Sequence, residues 1–149
     1  MVSTRDSLQS WLRLSLTPGV GNKTARALLQ SFGLPENIFE RSLSELQAIV
    51  SPAISHQLRC MPSDLEAAVE VTWEWLNTPV PSRMTTYKST QVSAKPIGKR
   101  LLTLGDPDYP SSLMLTPDPP CLLYVMGQTQ HLHWLSPTAF KAPLAVAVV

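Results

Sequence analysis

At 149 residues the chain has room for one ordinary domain, or a small domain plus part of another; 44% hydrophobic against 15% charged residues argue for a soluble globular protein and against wholesale disorder. The net charge of +1 excludes a global field that recruits nucleic acid, so any such binding has to be local. No apolar run approaches the ~20 residues of a membrane span and the N-terminus MVSTRDSLQS has no signal-peptide apolar core, so a cytoplasmic location is expected.

The first predicted helix runs from about Thr4 to Leu16, with Leu8, Trp11, Leu12 and Leu16 on one side. Pro18 stops it, and Gly19 and Gly21 suit a turn that needs positive φ and close backbone approach. Ala25, Leu28, Leu29 and Phe32 then form the buried stripe of a second helix that Gly33 closes as a C′ residue. Leu14 to Gly33 is therefore a helix-hairpin-helix signature. A helix N-terminus carries roughly +0.5 of an elementary charge and normally attracts Asp or Glu, yet this one opens Gly21, Asn22, Lys23, Thr24, Ala25, Arg26. Free N–H groups beside a lysine make an anion site, and the natural polymeric anion is a nucleic-acid backbone. The expected phosphate contacts are Gly19, Val20, Gly21, Asn22, Lys23 and Arg26; the alternative is a helical hairpin with a glycine turn and no ligand.

Ile38 and Phe39 are expected to plug a short linking turn. Ser42 to Val50 reads as a third helix with Leu43, Leu46 and Val50 inward, and Ser51-Pro52 opens a fourth with Ile54, Leu58 and Met61 as its apolar face. This second pair has no glycine at its turn and is expected to be structural only. Ser63 to Asn77 is the fifth helix, with Leu65, Ala68, Val69, Thr72, Trp73 and Leu76 at core spacing and Trp75 on another face, covering a neighbouring element. Capping boxes are expected at Ser42-Leu43-Ser44-Glu45 and Ser63-Asp64-Leu65-Glu66. Residues 4 to 77 then form an autonomous five-helix unit.

From Thr78 the chain changes character. Pro79, Pro81 and Pro96 break any helix, and the stretch Arg83 to Arg100 holds five basic residues and no acidic one, reading as a linker or solvated loop rather than a tether for nucleic acid. Leu101–Leu104, Leu122–Met126 and Leu144–Val149 are short apolar strands; the last, near-continuously aliphatic, reads as a central parallel strand buried on both faces. The proline-rich connection between the first two is expected to be pinned by Tyr109 and by Leu113 or Leu115, with Asp106 and Asp108 as turn formers. Cys60 and Cys121 give neither a disulfide framework nor a metal pair, and His56, His131 and His133 lack closed-site spacing, so Cys60 reads as a small core residue and no metal or other cofactor is expected.

Trp11-Leu12-Arg13-Leu14 leading into Pro18-Gly19-Val20-Gly21, Leu28-Leu29 to Phe32-Gly33, Leu104-Gly105-Asp106-Pro107-Asp108-Tyr109-Pro110, Pro117-Asp118-Pro119-Pro120 with Leu122-Leu123-Tyr124-Val125 and Gly127, and Ala145 to Val149 follow one another in an order that resembles the DNA-processing protein A family, DprA, also called Smf. The resemblance covers nearly the whole chain except much of residues 79 to 99. It implies an α+β protein: an all-α helix-hairpin-helix (SAM-like) domain over residues 1–77, a Pro-rich basic linker or insertion over 78–100, and over 101–149 the incomplete start of a Rossmann-like α/β domain. The implied function is non-enzymatic: binding of single-stranded DNA and loading of RecA in natural transformation and DNA recombination, by a homodimer. The family's Gly-Ser-Arg phosphate-binding loop would follow Val149, so the chain is expected to be truncated, with the main DNA pocket and most RecA and dimer surfaces missing and DNA binding weak. A protein-interaction module with a degenerate hairpin is the competing reading. An enzyme is the weakest, since neither Gly-x-Ser-x-Gly nor a histidine-carboxylate constellation with recognisable spacing occurs.

Overall fold

Thr4 begins the first helix by accepting a hydrogen bond on its side chain from the Ser7 N–H at 3.2 Å, which satisfies one of the amides left over at a helix start. The computed structural model describes residues 4–80 and 98–127. Helix α1 (Arg5–Leu16) buries Leu8, Trp11, Leu12 and Leu14. Leu16, expected inward, is 38% exposed, and Leu14 takes its place. The reason is that α1 serves two cores: Leu8 and Leu12 pack with Leu65, Val69 and Leu101, while Trp11 and Leu14 pack with Ala25, Leu28, Ile38 and Leu58.

Helix α2 (Asn22–Phe32) ends where Gly33 turns to φ 82° and its N–H bonds back to the Leu29 carbonyl at 2.8 Å. The expected linking turn is instead a helix, α3 (Pro35–Glu40), with Ile38 fully buried. Pro35 supplies its first residue at a φ already suited to a helix, and six residues are too few to show a period. The capping box of α4 (Leu43–Gln47) forms as expected, with Ser42 N–H to Glu45 Oε2 at 2.9 Å and Glu45 N–H to Ser42 Oγ at 3.4 Å. Leu46 and Val50 point inward, but Leu43 does not. Ser51 caps α5 (Pro52–Arg59) at the Ile54 N–H, and Leu58 is buried. Because α5 stops at Arg59, Cys60 leaves the helix in extended backbone and both Cys60 and Met61 are exposed, Met61 at 61%, so neither is the core residue expected.

Helix α6 (Leu65–Asn77) lacks the expected second capping box: the Ser63 hydroxyl donates to Asp64 Oδ1 at 2.9 Å, and Asp64 makes no cap bond. It lies along α1, tied to it by Leu65 and Val69 in the core and by an Arg5–Glu70 ion pair at the surface. Thr72 is buried, with Trp73 and Leu76 partly buried beside it.

Strand β1 (Gly98–Thr103) starts earlier than expected, so Lys99 and Arg100 of the basic stretch are strand residues. It pairs antiparallel with β2 (Leu122–Gly127), Gly98 opposite Gly127 and Thr103 opposite Leu122. The alternating pleat splits the pair's side chains. Leu101, Leu122 and Tyr124 face α1 and α6, while Leu102 and Leu123 face Tyr109 and Leu113 of the connection. Tyr109 is the main pin, 2% exposed with its hydroxyl on the Pro120 carbonyl at 2.6 Å; Leu113 helps from a short helix, α7 (Ser111–Met114), and Leu115 is 86% exposed. Asp106 acts as the expected turn former, its Oδ2 accepting from Thr103 N–H at 2.7 Å and Thr103 Oγ1 at 2.9 Å. Asp108 instead pairs with Arg100 at 2.8 Å. Cys121 joins the α1–α2 core, so the strand pair is packed on the helices and gives a mixed α+β arrangement. The run 144–149 expected as a central parallel strand lies outside the described residues, as do residues 81–97. Among the described residues no helix is long and apolar enough to cross a membrane.

Candidate nucleic-acid interface

The α1–α2 turn is built from its own backbone. Thr17, buried, bonds its hydroxyl to the Arg13 carbonyl at 2.7 Å and ends α1, and the Val20 N–H returns to the Thr17 carbonyl at 3.0 Å. Gly19 sits at φ 81°, and a Cβ there would meet Ile54 Cγ1 at 3.4 Å, so the turn rests against α5. Gly21 differs. Its φ is −82° and the space where a Cβ would stand is open, so it is not held to glycine by the backbone.

As N-cap of α2, Gly21 offers no side chain to the amides of the first turn, and no acid lies in that turn. The first intrahelical bond is Ala25 N–H to the Gly21 carbonyl at 2.9 Å, so the amides of residues 22 to 24 precede the ladder. Lys23 is exposed beside them.

The other expected contacts are placed differently. The Val20 side chain is core and its N–H is spent within the turn. Asn22 is half-buried, and its carbonyl accepts from Cys121 Sγ at 3.7 Å. Arg26 reaches across to the Pro117 carbonyl at 3.5 Å, holding down the loop that leads into β2. That loop brings Asp118 into a cleft of about 250 Å³ shared with Gly21, Asn22, Trp11 and Cys121. The first turn of α2 lacks an acid in sequence but has one nearby in space, and nothing local to residues 14–33 announces it. Burial pushes the Cys121 thiol up to about 11, Arg26 opposing and Asp118 reinforcing the shift.

Trp75 covers β2 as expected, its ring edge-on to Tyr124 at 5.4 Å, with Lys99 Nζ 5.3 Å from its centroid. Thr72 Oγ1 and the Tyr124 hydroxyl share a hydrogen bond at 2.8 Å behind it. These rings are engaged with the protein itself. Among the described residues no group of three or more His, Cys, Asp or Glu could hold a metal ion. In comparisons with protein-family models, curated proteins and solved structures, nothing matches this chain.

Proposed function

We propose that the chain is a non-enzymatic nucleic-acid-binding protein of the DNA-processing protein A type, with α1–α6 as its helix-hairpin-helix, SAM-like part and β1–β2 as the entry to a Rossmann-like domain. Single-stranded DNA is the partner in this reading, and RecA contact and homodimerisation belong to the same proposal. The observation that carries it is the uncapped start of α2, where amides preceding the helix ladder stand next to exposed Lys23 on a glycine turn. Such groups reach phosphates and not base edges, so binding is weak and indifferent to sequence.

Fluorescence anisotropy with an oligothymidylate at low salt tests it. One or two neutralised phosphates give a slope of log affinity against log salt of about −1. Lys23→Glu should abolish binding and Lys95→Glu in the basic stretch should change it little; the reverse ranking would move the contact to that stretch. A second reading, a protein-interaction module with a degenerate hairpin, is favoured by Asp118, whose carboxylate shares the cleft at Gly21 and Asn22 and opposes an incoming phosphate. Undetectable oligonucleotide binding at low salt would select it.

A further inference from the structure

Away from the hairpin turn, at the far end of α5, two arginines bracket one phenylalanine. Arg13, on α1, lays its guanidinium 4.0 Å from the centroid of the Phe39 ring and donates from Nη2 to the Leu58 carbonyl at 2.9 Å. Arg59, the last residue of α5, donates from Nη1 to the carbonyls of Phe39 at 3.4 Å and Arg41 at 3.3 Å. Two full positive charges are thus drawn to one place by the carbonyl ends of α3 and α5, which carry only partial negative charge. Burial first, and the nearby Arg59 charge second, hold Arg13 below its ordinary pKa, with Cys60 opposing the shift.

Among the described residues neither Arg13 nor Arg59 has a carboxylate within ion-pair distance, whereas Arg41 beside them has Glu45 at 3.5 Å. Each guanidinium presents five N–H donors in a planar fork, and the carbonyl bonds above use only Nη2 of Arg13 and Nη1 of Arg59. An anion with several acceptor oxygens suits two such forks, and a tetrahedral phosphate matches them better than any single carbonyl. We propose that Arg13 and Arg59 form a seat for a phosphate group beside Phe39. It stands apart from the α2 start: a Cβ at Gly19 of the turn would meet Ile54, and Arg59 lies five residues, about 7.5 Å, further along the α5 axis. The inference therefore does not rest on the nucleic-acid reading.

Thermal melting of the full chain tests it, in sodium phosphate against sodium chloride at equal ionic strength. For millimolar affinity and phosphate several-fold above it, the phosphate-specific rise should be about 3 °C. Arg59→Gln should remove that rise, since glutamine keeps a donor for the carbonyls but not the charge, while Lys23→Glu should retain it. Phosphorus-31 line broadening on the unmutated chain gives a second readout that does not depend on any variant folding. If an oligothymidylate reproduces the rise in Lys23→Glu and not in Arg59→Gln, the phosphate is that of a nucleic-acid strand; if only inorganic phosphate does, it is a free anion, and either supports the seat. Equal melting in the two salts, no saturable broadening, or a rise that survives Arg59→Gln overturns it.

Discussion

Substituting the two glycines of the hairpin turn one at a time separates what the turn needs for folding from what it needs for binding. At Gly19 the positive φ of 81° is the obstacle, because an L side chain in that region costs about 1–2 kcal/mol. The Cβ itself would add little, meeting Ile54 Cγ1 at the ordinary van der Waals distance of 3.4 Å. With a urea m-value of about 2 kcal/mol/M, Gly19→Ala should lower the unfolding midpoint by about 0.5–1 M. Gly21, at φ −82° in open space, bears no such strain, and alanine there should cost only about 0.5 kcal/mol, the difference between the two residues as N-caps. Gly21→Asp should go further and stabilise by about 0.5–1 kcal/mol, since a carboxylate at this N-cap serves both the unbonded amides and the helix dipole. The same carboxylate would occupy the place of a phosphate and weaken oligonucleotide binding about tenfold or more. Urea unfolding followed by circular dichroism, with anisotropy on the same samples, reads both. A Gly21→Ala midpoint as low as that of Gly19→Ala would refute the backbone argument, and unchanged binding in Gly21→Asp would refute the anion argument.

Thr72→Val should cost about 1–2 kcal/mol by leaving the Tyr124 hydroxyl without its partner at 2.8 Å, and much of that should be recovered in the Thr72→Val/Tyr124→Phe double variant; strict additivity would show that the bond contributes nothing. Tyr109→Phe should cost a similar amount through the Pro120 carbonyl it abandons, measured by urea midpoint, whereas Leu115→Ala, at an exposed position, should be silent. Of the two thiols, Cys60 should react with an aromatic disulfide reagent at once and Cys121 only in denaturant; equal rates would contradict the burial of Cys121. Cys121 and Tyr109 are raised by burial to about 11 and about 12 from 9.0 and 10.0, so the unfolded chain loses these protons first as pH rises. Their stability contribution is full below about pH 9 and declines towards pH 11–12, by up to about 1.4 kcal/mol per pH unit for each group. Cys121→Ala should flatten the part between pH 9 and 11, and an unchanged slope would refute the assignment.

Features governed by a few adjacent residues were legible in the sequence. The Ser42–Glu45 box, the Ser51-Pro52 start, the Gly33 stop and the turn at Gly19 each depend on φ preferences and on hydrogen bonds between near neighbours, so the residues that decide them lie together in the chain. Asp106 as a turn former, bonded three residues back to Thr103, belongs to the same class. Where the second capping box failed, Ser63 and Asp64 turned to each other, a choice between two equally local partners that spacing does not rank.

What tertiary structure decided was which faces meet. Helix α1 buries Leu14 and not Leu16 because it is packed from two sides, and an apolar stripe counted from one side does not register that. Cys60 and Met61 turn outward because α5 ends before them. Asp118 reaches the start of α2 from nearly a hundred residues away in sequence, and Arg59 comes to share Phe39 with Arg13 only after α1, α3 and α5 have docked. Charge is felt through space, so whether a helix start or an arginine stands alone is settled by the packing of distant segments and not by the residues beside it in the chain.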